Sequence, residues 1–188
     1  MASPIYQIHV ELQDIQPKIW RRLLVPSDIL LVDFHRILQT AMGWTNSHLH
    51  LFDVGIVCYS PEDFEIEDTI DSRKVKLKQI FDKESEKMLY EYDLGDGWKH
   101  EITLERTIKK GDHGQIPRCL EGAGNCPPED CGGRFGYAQL LQTIADPDHF
   151  DHEDMMIWLG GSFDPAFFDL NQINQQLSEP DYGCIWLE

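Results

Sequence analysis

The sequence predicts a single α+β domain, a mostly antiparallel sheet with helices packed on one face. Three observations carry this. Period-two apolar runs come first along the chain, helical stripes close it, and a Gly-Asp-Gly hairpin loop sits between them. Alternating strands and helices, the mark of a doubly wound sheet, are absent. The 188 residues are enough for one domain with a core of its own.

Tyr6, Ile8, Val10 and Leu12 alternate with Gln7, His9 and Glu11, a half-buried strand. After Pro17, Ile19 to Val25 is rich enough in β-formers for a second. Leu30, Phe34, Ile37, Leu38 and Ala41 recur at helical spacing, and Gly43 follows Met42 as a C-terminal cap. His48 to Val54 predicts the next strand, with His48, His50 and Phe52 on one face. The mixed, acidic stretch 60–87 predicts only a short helix near Leu77–Phe81.

Met88, Tyr90 and Tyr92 then alternate on one arm of a hairpin, and Trp98, His100 and Ile102 on the other. A three-residue loop, Gly95-Asp96-Gly97, keeps each face uniform and sets Tyr92 opposite His100. Residues 111–134 hold six glycines and three prolines without periodicity and predict a long loop. Tyr137, Leu140, Leu141 and Ile144 mark a helix. Asp151 is placed to start a short one, Asp164-Pro165 another, and Asp169 with Gln172 a last one through Leu177.

The formal charge is −17 and lies entirely beyond residue 50, since residues 1–50 hold four acids and four bases. A field of that sign repels phosphate backbones, which argues against direct nucleic-acid binding. It suits a basic partner, divalent cations or plain solubility. No run is long and apolar enough to span a membrane, and Met1 to Pro4 do not begin a secretion signal. Five cysteines in such a chain point to the cytoplasm rather than to a disulfide framework.

Three constellations could carry chemistry. The 111–134 loop contains Cys119, Cys126 and Cys131, and thiolates with a histidine such as His100 form tetrahedral zinc sites. Zinc is therefore the candidate cofactor, although no Cys-x-x-Cys occurs. Buried cysteines that merely pack are the competing reading. His48, His50 and His100 could converge with Cys119, as metal ligands or as bases for a thiol nucleophile. The competing reading is a set of satisfied structural histidines. Asp146 to Asp154 holds five aspartates or glutamates and two histidines, but matches no EF-hand and reads best as helix capping. No phosphate-binding glycine loop and no Gly-x-Ser-x-Gly elbow is present.

Several strings in order resemble the plasmid pRiA4b ORF-3-like family. They are Ile19-Trp20-Arg21-Arg22, Gly43-Trp44, His48-Leu49-His50-Leu51-Phe52, Tyr92 to His100, Cys119-Leu120-Glu121-Gly122, Cys126 to Gly133 and Phe163-Asp164-Pro165. The likeness runs over residues 4–177. It implies one α+β domain over 1–188, often carried on mobile elements, with no established reaction or cofactor. Some relatives are described as resolvase-like. This chain lacks the nucleophilic serine among arginines and the basic DNA-binding part that such an enzyme needs.

The resemblance marks His48, His50, Trp98, His100, Cys119 and the 127–133 run, Glu129 and Asp130 included, as pattern positions, and a cleft between the sheet and the 111–134 loop is the expected binding site. The leading expectation is a non-catalytic binding module for a protein or small-molecule partner. A metal-dependent or thiol enzyme is the second, and an accessory to DNA transactions acting through a partner is the third.

Overall fold

A computed structural model describes residues 3–109 and 114–184. Eight strands form one sheet in the order β5-β4-β3-β6-β7-β1-β2-β8. They are β1 (Ile5–Leu12), β2 (Trp20–Pro26), β3 (His50–Asp53), β4 (Cys58–Ser60), β5 (Thr69–Asp71), β6 (Lys87–Tyr92), β7 (Trp98–Ile108) and β8 (Arg118–Ala123). All neighbours pair antiparallel except β4 with β5. Four helices complete the domain: α1 (Leu31–Met42), α2 (Gly133–Ala145), α3 (His152–Trp158) and α4 (Leu170–Gln176).

The period-two pattern decides which face is covered. Tyr6, Ile8, Val10 and Leu12 of β1 are buried, as are Trp98, His100, Ile102 and Leu104 of β7, while the residues between them reach solvent. The helices pack on this apolar face. Phe34 of α1 stacks on Phe52 at 6.1 Å between centroids, and Tyr137 of α2 meets Trp98 edge-on at 6.4 Å. Asn174 of α4 clamps the edge strand, accepting from the Cys119 N–H at 2.8 Å and donating to the Cys119 carbonyl at 2.9 Å.

Helix α1 ends as its sequence predicts. Gly43 takes φ +103, and its N–H closes on the Gln39 carbonyl at 2.8 Å. At the same end lies the Arg21 guanidinium, only 3% exposed. It donates to the carbonyls of Ala41 at 2.7 Å and of Trp20, Ala123 and Gly124 at 2.8 Å each. One side chain thus ties β2 to β8 and serves the carbonyl end of α1, where a cation is favoured.

Several expectations need correction. Residues 118–123 are not loop but the edge strand β8, paired with β2 from Trp20↔Ala123 to Leu24↔Arg118. Of its side chains only Cys119 is buried, so the stretch shows no periodicity. Strand β3 begins at His50, which leaves His48 in the segment before it.

The hairpin register is Tyr92↔Trp98 and Tyr90↔His100, shifted by two residues, with a five-residue connection 93–97 in place of the three-residue loop. The reason is Asp93. It adopts φ +55, and its Oδ1 accepts from the N–H groups of Gly95 at 3.0 Å and Asp96 at 3.2 Å. The turn therefore closes before Leu94 can pair, and a shift of two keeps every side chain on its face. Leu77–Gln79 is one turn of 3-10 helix, and Asp164 caps a single turn instead of a helix. Asp169 does cap α4, accepting from Asn171 and Gln172.

Candidate functional site

The site forms where three non-helical segments meet at one end of the inner face. The first is Trp44 to Leu49, running from α1 into β3. Its backbone is pinned by the Trp44 indole N–H on the Pro127 carbonyl at 3.0 Å and by Ser47 N–H on the Tyr92 hydroxyl at 3.0 Å. The second is the β6–β7 turn, which presents Asp93. The third is 126–131, which presents Glu129 and Asp130.

His48 Nε2 is the centre. It stands 3.4 Å from Asp130 Oδ1, 3.7 Å from Asp93 Oδ2 and 3.7 Å from Glu129 Oε2. It is closed to solvent and has no hydrogen-bond partner, and the same holds for Glu129 Oε2. The side chain of Asp93 is 9% exposed and that of Asp130 75%, so the group opens to solvent on the Asp130 side.

The far oxygens are already engaged. Glu129 Oε1 accepts from Thr45 N–H at 2.8 Å, from Thr45 hydroxyl at 3.0 Å and from Tyr92 hydroxyl at 3.0 Å. Burial, and then the Glu129 carboxylate itself, raise the Tyr92 phenol, which therefore stays protonated and donates. Asp93 Oδ1 is spent on its own turn. Glu129 and Asp93 are thus each oriented through one oxygen, with the other turned toward His48.

The distances discriminate between two causes of this clustering. A charged imidazole bound to a carboxylate settles at about 2.8 Å. Two ligands each about 2.1 Å from one tetrahedral ion stand about 3.4 Å apart. The His48 Nε2 separations, 3.4 Å to Asp130 and 3.7 Å to Asp93 and Glu129, all exceed the first spacing, and the one to Asp130 equals the second. Among the described residues, His48, Asp93 and Asp130 are the only group of three or more histidine, cysteine or acidic side chains with ligand atoms all within 4.8 Å.

The other expected residues do not join them. His50 is buried with both ring nitrogens unpartnered, its ring stacked on His35 at 3.4 Å. The His35 ring is held by Tyr90 hydroxyl and Asn46 at 2.8 and 2.7 Å. His50 lines a second cavity, of about 560 Å³, whose wall His48 shares. His100 is fully buried in the core, its Nδ1 3.2 Å from the Tyr90 carbonyl, and Trp98 is a core residue.

The expected zinc set of Cys119, Cys126, Cys131 and His100 is not brought together. Burial pushes the thiols of Cys119 up to about 11 and of Cys126 and Cys131 up to about 12. Without a metal beside them they stand as protonated thiols at neutral pH, which does not favour nucleophilic attack. Between Asp146 and Asp154 the side chains serve local turns, Asp146 accepting from Asp148 N–H at 3.1 Å and His149 from Asp151 N–H at 3.2 Å.

Sequence reasoning missed Asp93, which reads as a hairpin-turn aspartate. Its one legible signal is a place in the Tyr92-to-His100 string.

On the far side of Glu129 and Asp130 opens a cleft of about 480 Å³. Glu129 and Asp130 form one wall, and Trp44, Trp158, Leu159 and Phe163 line the rest.

The chain is similar to known proteins over nearly its whole length. It is 39% identical to the uncharacterized protein y4hQ of Sinorhizobium fredii, with 99% of this chain and 96% of that protein aligned. The crystal structure of a protein of unknown function from Methanosarcina mazei, MM3350, superposes with a TM-score of 0.83 at 30% identity, covering 92% of this chain and 97% of that one. The family model described as plasmid pRiA4b ORF-3-like protein matches residues 4–172. A match of that extent, joined to a shared fold and 39% identity to y4hQ, makes this chain a member of the plasmid pRiA4b ORF-3-like family.

Proposed function

We propose that the protein is a divalent-cation-dependent binding module. His48 Nε2, Asp93 Oδ2 and Asp130 Oδ1 hold one ion, and Glu129 stands behind them. The observation that carries this is the unpartnered, solvent-closed His48 Nε2 facing three carboxylates at 3.4–3.7 Å. Leaving that nitrogen and Glu129 Oε2 buried without partners would cost about 1–3 kcal/mol each. An ion held by His48, Asp93 and Asp130 satisfies the nitrogen without moving a residue far.

One imidazole with carboxylates suits Zn²⁺ or Mn²⁺ better than Ca²⁺ or Mg²⁺, which favour all-oxygen shells. The exposed Asp130 side leaves a coordination position for a ligand. The sequence-based zinc reading is thereby moved from the cysteines to this site. A thiol enzyme loses its support with the buried, protonated cysteines, and a role in DNA transactions has no residue to rest on.

The test is calorimetric titration of chelator-treated protein with Zn²⁺ and Mn²⁺. One ion per chain is expected, weakened by 100-fold or more in His48→Ala and in Asp93→Asn, with unchanged circular dichroism. Failure of both ions to bind, or wild-type affinity in the two variants, would sink the reading.

A further inference from the structure

Helix α3 buries none of its side chains, yet it ends in Met155-Met156-Ile157-Trp158. Phe150, just ahead of it, is 87% exposed, Ile157 70% and Trp158 50%. Large apolar side chains grouped at a surface mark a contact site. Helical spacing sets Asp154 one turn before both Ile157 and Trp158, and Glu153 one turn before Ile157. Apolar and anionic groups therefore share this face of α3.

Trp158 also lines the 480 Å³ cleft, together with Phe163, Glu129 and Asp130, and no histidine, lysine or arginine lines it. The same bias runs to the end of the chain. Residues 135–188 hold ten aspartates or glutamates and not one lysine or arginine.

That charge decides what covers the face. A second copy of the chain docked face to face would set like charges against each other. Nucleic acid is repelled in the same way. A small cation in the cleft would leave Ile157 and Phe150 bare.

We infer that α3 and the cleft beside it dock a basic segment of a partner protein, one that carries arginine among apolar side chains. The apolar side chains cover Ile157 and Phe150. The guanidinium lies on the Trp158 indole and faces Asp130, whose side chain is 75% exposed. No ion is needed. One divalent ion at His48 reduces the negative charge of Asp93, Glu129 and Asp130 without reversing it.

Selection of short random peptides displayed against the full chain in the presence of a chelator tests this, followed by fluorescence anisotropy with an enriched peptide. Enriched sequences should carry arginine with leucine or an aromatic residue. Binding should weaken tenfold or more in Trp158→Ala and in Asp154→Lys, both with unchanged circular dichroism. Glu67→Lys makes the same change of net charge at an exposed acid ahead of the edge strand β5, and should weaken binding far less.

Four results overturn the inference. The first is no enrichment, or enrichment of peptides without basic residues. The second is equal weakening by Glu67→Lys and Asp154→Lys, which marks unspecific attraction. The third is a dimer in sedimentation that Trp158→Ala dissolves, which makes a second copy the occupant. The fourth is binding of N-acetylarginine methylamide as tight as that of the peptide, which makes the cleft a small-ligand site. A chain that takes up no ion leaves this inference untouched, and a chain that takes up an ion but no peptide removes it alone.

Discussion

Arg21 shows what a single residue can decide in this fold. It lies in a string that also marks the family, and burial lowers its guanidinium from the usual arginine range. No carboxylate among the described residues pairs with it. Its bonds all go to backbone carbonyls, with the ring of Phe168 4.8 Å away as a further partner. It is structural, and its neighbours depend on it. Arg21→Met should destabilise the protein by about 3 kcal/mol or more, because four carbonyls, two of them fully buried, lose their donor at once. Arg21→Lys should cost nearly as much, since an ammonium cannot reproduce the planar fork. Urea unfolding of the two variants measures this; a loss under 1 kcal/mol in Arg21→Met would contradict the role.

At the scale of elements, the hairpin turn and the start of α2 are built against each other. Gly132 N–H donates to Asp96 Oδ2 at 3.1 Å, so the anion at this helix terminus is supplied by the β6–β7 turn. A Cβ at Gly136 would stand 1.9 Å from the Cys131 carbonyl oxygen. Gly136→Ala should therefore push the 126–131 segment away from its seat by backbone, which cannot yield cheaply. The expected outcome is a stability loss of about 2 kcal/mol together with weaker ion binding, because Glu129 and Asp130 ride on that segment. Thermal melting and ion titration of the variant check it. An unchanged melting temperature would show that the segment adjusts freely.

For the whole molecule, the buried histidines set how acid acts on it. Burial lowers His35 and His100 to about 4 and puts His50 well below its ordinary 6.5. Each is neutral in the folded core and takes a proton more readily when unfolded. The unfolded chain thus binds more protons below about pH 6.5. Stability should be full above that value and fall as pH drops toward about 4. The loss for His35 and His100 is on the order of a few kcal/mol each. Urea unfolding at a series of pH values reads this slope. The slope should flatten in His100→Phe if that core histidine is a source of it. A flat profile between pH 6.5 and 4 would contradict the depressed histidines. No helix among the described residues is long and apolar enough to cross a membrane.

The sequence by itself determined five strands of the sheet, β1, β2, β3, β6 and β7, their buried face and the ends of α1 and α4. These follow from local rules, side chains alternating along a strand and Gly43 closing α1. It also placed His48, Glu129 and Asp130 among the candidates, through strings that hold together as a pattern. Only tertiary structure decided the rest. Arg118–Ala123 became a strand because β2 offered its edge, which no periodicity in those six residues announces. Asp93 joined the site because its own turn spent one oxygen and left the other facing His48. Cys119, Cys126 and His100 went to the core and Cys131 packs partly buried against it, without the four gathering at one point among the described residues. Burial protonates those thiols and neutralises that imidazole, and burial depends on neighbours distant in sequence.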